Sequence, residues 1–419
     1  MFERIKAGKE LTLFSPADVP ELKKLFFSDD YEGFKAEYER CEARDDLIVE
    51  KVSALELMQI FIRERSQTGR YYFQDAYHTN AHTPFNPKYA PVRQSNLCLE
   101  IALPTEPLVR NVDDEDAEIA LCTLSALNWL VINTEEEMEE ICDIVIEALD
   151  MVLSYQDYPL AAAERSVRKY RPLGVGVINY AADIARHSWK YGDREALNYT
   201  HRKMEMMQYY LMKASVRLAK EKGRCDGYEN LNIANNKLVI DSYCKNVDEL
   251  HDEVLHMDWD SLRKDIDKYG IRNATVTALM PSETSSQVVG ATNGIEPPRS
   301  YVTAKKSKSG ALSLVVPNPE KHLHDYTYAW DMPNNKGYLH TVAVFQKFVD
   351  QTISANFYYD PKKYPNDLVP TKVIMADMAL CQKYGIKTGY YHNTRPAGED
   401  KMTIIDDATE DCGGGGCKI

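Results

Sequence analysis

The stretch Gln94-Ser95-Asn96-Leu97-Cys98-Leu99-Glu100 sets polar side chains on alternate positions with leucines between them. In an extended segment successive side chains point to opposite faces, which puts Asn96, Cys98 and Glu100 on one side. An amide, a thiol and a carboxylate so grouped can bind a hydroxyl, react at sulfur and move a proton. The same spacing also fits a small buried residue between two polar ones on a strand edge. Spacing alone leaves both readings open.

Outward from this stretch, helices and short strands intermix. Residues 273–280 (NATVTALM) alternate β-branched side chains before Pro281 and predict a strand. Thr134-Glu135-Glu136-Glu137 is a capping box, opening a helix with apolar positions Met138, Ile141, Cys142, Val145, Leu149 and Val152. Cys142 on that stripe reads as core. Met204, Met207, Leu211 and Leu218 form a second stripe, ended by Gly223. No repeat or long linker interrupts residues 1–394, and the mixture predicts an α/β architecture.

With 419 residues, 44% of them hydrophobic, the chain can bury a sizeable core as one large domain or a few ordinary ones. A net charge of -14 argues against a surface for phosphate backbones, so no nucleic-acid partner is expected, although a nucleotide can still occupy a local pocket. The start Met1-Phe2-Glu3-Arg4-Ile5-Lys6 is polar and reads as no signal peptide. The most apolar charge-free stretch, 119–134, is too short and too polar to span a bilayer. Nine scattered cysteines, an odd number, fit a reducing compartment, and the expectation is a cytoplasmic protein without a membrane partner.

Other candidate chemistry is weaker taken singly. Cys122 lies in an apolar run, Leu121-Cys122-Thr123-Leu124-Ser125, and by itself reads as a core cysteine. From Pro396 the chain turns acidic and ends Asp411-Cys412-Gly413-Gly414-Gly415-Gly416-Cys417-Lys418-Ile419. Four glycines cannot hold one conformation cheaply, so a mobile arm is expected. Its two thiols can close a disulfide and swing as a unit. A zinc site would need two further ligands, and the nearest histidine is His392, so a redox arm is favoured and no metal is expected. Pro281-Ser282-Glu283-Thr284-Ser285-Ser286-Gln287 follows the predicted strand; free amides and hydroxyls at a helix start suit an anion, and an ordinary N-cap fits equally well. Gly174-x-Gly176 has Asn179 where a dinucleotide fingerprint needs its third glycine, and that reading is discounted. Tyr390-Tyr391, one pair among 27 tyrosines, reads by itself as strand residues packing on opposite faces.

Together and in order, 94–105 (QSNLCLEIALPT), 118–126 (EIALCTLSA), 278–287 (ALMPSETSSQ), 293–298 (NGIEPP), Tyr390-Tyr391 and a terminal C-x4-C-K-I resemble the large, catalytic subunit of class I ribonucleotide reductase. The likeness is to bacterial and phage members and runs the length of the chain. It implies an α/β fold, the C-terminal part of a ten-stranded α/β barrel of two half-barrels with a central finger loop. Residues 1–395 would be barrel, with the finger loop around 90–105, and 396–419 a flexible redox tail. Cys98 would carry the transient thiyl radical, Glu100 would be the base at the 3′ hydroxyl and Asn96 would orient the sugar. Cys122 would be one of two cysteines supplying reducing equivalents. Tyr390 and Tyr391 would relay the radical. Ser95, Pro281, Ser282, Glu283, Thr284 and Ser285 would bind the ribonucleoside diphosphate. Cys412 and Cys417 would re-reduce the active-site disulfide and be reduced in turn by thioredoxin or glutaredoxin.

The same resemblance implies partners. The tyrosyl radical and di-iron centre would sit on a small (beta) subunit, and this chain would bind no cofactor itself. Nucleotide effectors would bind an N-terminal part of the large subunit for which this sequence has no matching segment. That part also carries the partner of Cys122, and Cys41, Cys142, Cys225, Cys244 and Cys381 do not stand in its context. The expectation is a product of a divided gene, or a truncated form, that works in an oligomer with a separate N-terminal chain, in the host cytoplasm if phage-borne. Two rivals are a glycyl-radical enzyme, against which the tyrosine pair and the terminal cysteines speak, and a non-catalytic barrel half that serves as scaffold.

Overall fold

Apolar stripes, caps and turn residues set the element order. In the computed structural model, residues 1–109, 111, 114–307, 310–396 and 402–406 are described. An antiparallel pair, β1 (Glu10–Phe14) and β2 (Val49–Ser53), leads into α1 (Ala54–Thr68). The Ser53 hydroxyl caps α1 by accepting from the Glu56 N–H, and Gly69 ends it at φ 68°, a left-handed conformation that suits glycine. There follow β3 (Phe73–Gln74), β4 (Leu124–Asn128), α2 (Glu135–Tyr155), β5 (Gly174–Ile178) and α3 (Arg194–Lys222). The second half holds α4 (Glu283–Val288), β6 (Val302–Ser307), β7 (Gly310–Val315), α5 (Lys336–Gln346), β8 (Phe357–Tyr359), α6 (Thr371–Tyr384), β9 (Thr388–Gly389), β10 (His392–Thr394) and β11 (Met402–Asp406).

A parallel layer runs through the molecule in chain order. β4 pairs with β5 in the register Leu124↔Gly174 to Asn128↔Ile178. β5 bridges to the next segment at Val175↔Thr277, which bridges in turn at Leu279↔Ile353, and β8 pairs in parallel with β10. Helices α2, α3, α5 and α6 supply the crossovers that parallel neighbours require. β3 lies antiparallel to β9 at the far end. At the near end the second edge of β4 has no strand partner among the described residues, and no closed barrel forms among them. The architecture is a mixed α/β one. No helix of the described residues is long and apolar enough to cross a membrane.

The expected helix at 134 is present with its capping box: Glu137 N–H donates to Thr134 Oγ1 at 3.2 Å, and Thr134 N–H donates to Glu137 Oε2 at 3.2 Å. Its buried face is Met138, Cys142, Ile146, Asp150 and Leu153, whereas Val152 of the predicted stripe is exposed. Burial pushes the Cys142 thiol far up, as a core residue requires. α3 ends at Gly223 as read.

Residues 273–280 depart from expectation, being extended and bridged but not a regular strand. The buried Asp350 carboxylate takes the N–H groups of Val276 (2.6 Å) and Thr277 (3.2 Å), so a side chain stands in for part of the ladder. Gly174 and Gly176 are packing residues. A Cβ on Gly174 would lie 2.6 Å from Leu124 Cδ2, and one on Gly176 2.7 Å from Met280 Sδ.

Candidate active site

Asn96, Cys98 and Glu100 come together by a different route from strand alternation. Leu99 N–H donates to the Asn96 carbonyl at 3.2 Å, and residues 97–99 form a turn with Leu99 at φ 63°. A leucine in that left-handed region costs on the order of 1–3 kcal/mol and needs surrounding structure to hold it. Segment 351–354 does so. Thr352 Oγ1 donates to the Leu99 carbonyl (2.6 Å), Thr352 N–H to the Glu100 carbonyl (3.1 Å), and the Ser354 hydroxyl to the Cys98 carbonyl. Ala102 N–H donates to Gln351 Oε1 at 3.0 Å, and Leu99, Ile101, Ala102 and Leu103 are buried beneath the turn.

Within the turn the Asn96 amide donates to Glu100 Oε1 at 2.7 Å and to Cys122 Sγ at 3.4 Å. Its carbonyl accepts from Ile101 N–H at 3.1 Å, and Ser95 Oγ donates to the Ile101 carbonyl at 2.6 Å. Glu100 is 2% exposed. Burial raises its carboxyl above the ordinary range, against the donors Asn96 and Ser354. Cys122 is not the core cysteine its apolar run suggests: the residue is exposed, on the approach to the open-edged strand β4. Its sulfur nevertheless faces Asn96, Glu100 and Cys98, and burial together with the Glu100 charge pushes the thiol up to about 11. A thiol in that state is held protonated.

On its other side Cys98 meets the tyrosine pair. The Cys98 thiol and the Tyr391 side chain are both hydrogen-bond neighbours of the Tyr390 side chain, and burial drives the Tyr390 phenol far up. The rings of Tyr390 and Tyr391 lie 4.2 Å apart at 54°, so the pair shares a side instead of facing opposite ways. The reason is the break between β9 and β10, where neither tyrosine follows strand alternation. Tyr72, which sequence reading missed, packs on Tyr390 at 4.7 Å and on Tyr391 at 5.4 Å. Its signal was available: Tyr71-Tyr72 follows a glycine closely, as Tyr390-Tyr391 does. Arg65, Thr352 and Ser354 were also missed, with no signal in their neighbours. A cavity of about 540 Å³ opens beside Tyr391, lined in part by Arg70, Arg299, Trp330 and Asn393.

The stretch Pro281, Ser282, Glu283, Thr284, Ser285 leaves the parallel layer one segment away from the turn, since Ser354 N–H donates to the Leu279 carbonyl at 3.0 Å. Ser282 precedes the short helix α4 but its side chain makes no cap bond, and its buried hydroxyl has no hydrogen-bond partner among the described residues. Asn293 organises this end: its Oδ1 accepts from Ser282 N–H (2.7 Å) and its amide donates to Glu283 Oε1 (3.0 Å). Ser285 Oγ donates to the Ser282 carbonyl at 3.4 Å. Cys412 and Cys417 lie outside the described residues. Of the expected mobile arm, Met402–Asp406 is described, as β11 parallel to β6 from Met402↔Val302 to Asp406↔Lys306.

Residues 1–392 match the family described as ribonucleotide reductase, barrel domain. Ribonucleoside-diphosphate reductase subunit alpha of Haemophilus influenzae is 51% identical over 419 residues, covering 100% of this chain and 55% of that protein. Ribonucleoside-diphosphate reductase 1 subunit alpha of Escherichia coli is 50% identical over 422 residues with the same coverage. The subunit alpha of Enterobacteria phage T4 is 42% identical over 428 residues, again 100% of this chain and 55% of the relative. The chain therefore spans about half the length of the curated relatives it matches. With a turn-borne thiol set between a tyrosine pair and a buried carboxylate, and with this match along nearly its whole length, the chain belongs to the ribonucleotide reductase barrel-domain family.

Proposed function

We propose that this chain is the catalytic-subunit portion of a ribonucleoside-diphosphate reductase, converting ribonucleotides to 2′-deoxyribonucleotides through a thiyl radical at Cys98. The observation that carries the reading is that the Cys98 thiol neighbours the Tyr390 phenol while Asn96 of the same turn bonds Glu100 and Cys122. A C3′–H bond is too strong for acid–base chemistry, whereas a sulfur radical can take the hydrogen reversibly. Cys98 becomes a thiol as it takes that hydrogen, and Glu100 accepts the O3′ proton. The 2′ oxygen leaves as water. Cys122 and its partner thiol supply two electrons and two protons, closing a disulfide; Glu100 returns its proton to O3′, and Cys98 returns its hydrogen to C3′ and regains the radical. Ser95 and residues 281–285 hold the sugar and diphosphate; the buried Ser282 hydroxyl, which has no partner among the described residues, suits a phosphate oxygen.

In this reading residues 1–395 form part of a ten-stranded barrel whose finger loop bears Cys98, and 396–419 are the redox arm. A separate N-terminal chain pairs with the open edge of β4 and brings the second thiol and the effector sites. The small subunit, with its tyrosyl radical and di-iron centre, feeds Tyr391 and then Tyr390. Thioredoxin or glutaredoxin resets Cys412 and Cys417, and the assembly works in the cytoplasm. A buried disulfide is out of reach of a large reductase, which is why a swinging dithiol suits the task.

The test is reconstitution. Deoxynucleotide should form when this chain, the N-terminal chain and the small subunit are combined, and not when the N-terminal chain is left out. No product from the complete mixture would sink the proposed activity, and robust turnover without the N-terminal chain would sink the assembly requirement. The paired substitution Cys412→Ser and Cys417→Ser should stop the reaction with a protein reductant once the active-site thiols are spent, while a small dithiol sustains it.

A pH profile checks Glu100. As a base it must be ionised, and burial raises its carboxyl, so the acid limb of turnover should lie above the ordinary carboxylate range. Ser354 favours the charged form, with its hydroxyl 3.4 Å from Glu100 Oε2. Ser354→Ala should therefore move the limb to higher pH. A limb that stays put or moves down would contradict this role.

A further inference from the structure

Arg65 lies in the last turn of α1 and is 1% exposed, yet among the described residues its guanidinium has no carboxylate partner. It donates to the carbonyls of Tyr71 (2.6 Å), Tyr390 (2.7 Å) and, more weakly, Tyr391 (3.5 Å). Its Cζ also lies over two neighbouring rings, Phe73 at 5.4 Å and Phe357 at 5.0 Å, whose centroids are 6.0 Å apart. Burying a cation without a counter-ion is costly, and an apolar side chain of like volume is the usual cheaper filling. A guanidinium, however, carries donors in a fixed fork, which lets one group grip several carbonyls at set angles.

The gripped carbonyls mark where the grip acts. Phe73 is in register with Gly389 and Phe357 with His392, so the two rings belong to the strands, β3 and β8, that pair with those flanking the tyrosine pair. A Cβ on Gly389 would lie 2.1 Å from the Phe73 ring, which leaves that wall no slack. Tyr390 N–H donates to the Ala355 carbonyl (2.8 Å) and Tyr391 N–H to Asn356 Oδ1 (3.1 Å), and Arg65 meets the pair's carbonyls. Through Tyr71 it also fixes the backbone next to Tyr72, whose ring rests on both members of the pair.

Resting on the relay reading above, we infer that Arg65 is a positioning residue for radical transfer: its buried guanidinium holds the Tyr390–Tyr391 backbone so that the two phenol rings stay in contact and Tyr390 stays against Cys98. The neighbouring His392 adds no second charge, since burial and then Arg65 hold its imidazole down at about 3.

The experiment uses the complete assembly carrying 3-aminotyrosine, an easily oxidised analogue, at position 390 or 391, read by electron paramagnetic resonance. Arg65→Gln should lower turnover about 100-fold, the scale on which an ångström of misplacement acts. Substrate KM should stay unchanged; the radical should still be trapped at 391 but not at 390. Arg65→Lys keeps a cation without the fork and guards against a variant that fails to fold; it should retain the radical at 391 and lose most of that at 390. Normal trapping at 390 in Arg65→Lys, or equal loss at both positions, overturns the inference. Tyr390→Phe separates the two layers of argument. If it keeps full turnover the relay itself is wrong; if it is inactive while both Arg65 variants turn over normally, only the role of Arg65 is wrong.

Discussion

Cys98→Ser should leave the assembled enzyme without measurable deoxynucleotide formation while substrate affinity is unchanged. The substitution keeps the turn, because the contacts that hold it run through the carbonyls of Cys98, Leu99 and Glu100 and the side chain of Asn96. It changes only the atom that reacts. An O–H bond is far stronger than an S–H bond, so a tyrosyl radical at 390 cannot take hydrogen from serine at useful rates. A rise of about 5.5 kcal/mol in the barrier already costs about 10⁴-fold, and the difference between the two bonds exceeds that. Product assays and equilibrium substrate binding on the same preparation check both halves. Retained turnover would favour the scaffold reading and end the radical one.

Asp150→Ala should cost about 3–5 kcal/mol of folding stability, read as a shift in the denaturant midpoint. Asp150 is 1% exposed in the middle of α2. Its Oδ1 accepts from Arg171 Nε at 2.6 Å, from Arg272 Nε at 3.3 Å and from the Asn273 amide at 3.2 Å. Arg171 is 7% exposed and also donates to the Asp150 carbonyl and to Ser154 Oγ. Removing the carboxylate strands a buried guanidinium, and a stranded charge costs more than the intact pair contributes. Asp150→Asn keeps an acceptor and should cost less. A loss below about 1 kcal/mol for the alanine variant would mean that water reaches Arg171 and that the network does not tie α2 to the 273–280 segment.

Local chemistry was legible wherever neighbours in sequence determine the outcome. The capping box at Thr134 and the stop at Gly223 depend on residues three or four apart, and both stand as read. What depends on distant partners was not. Nothing near 273–280 announces that Asp350 will occupy two of its amides. Cys122 looks apolar by its flanks, but exposure is set by which strand lies beside β4. The opposite-face reading of Tyr390 and Tyr391 assumed a continuous strand, and the break after Gly389 lets their rings meet on one side. Arg65 sits among ordinary helix residues, and two of its three carbonyl partners, those of Tyr390 and Tyr391, lie more than 300 positions along the chain. The 94–100 motif was informative through its resemblance to a family, not through the alternation first read into it.

The left-handed Leu99 has a consequence for biosynthesis. Left to local preference, residues 97–99 would relax, and only Thr352 and Ser354, some 250 positions later, persuade them otherwise. A nascent or half-folded polypeptide thus carries an ordinary cysteine at 98, without aromatic neighbour or carboxylate. On the radical reading, the sulfur gains its reactive surroundings only when segment 351–354 has docked on the turn.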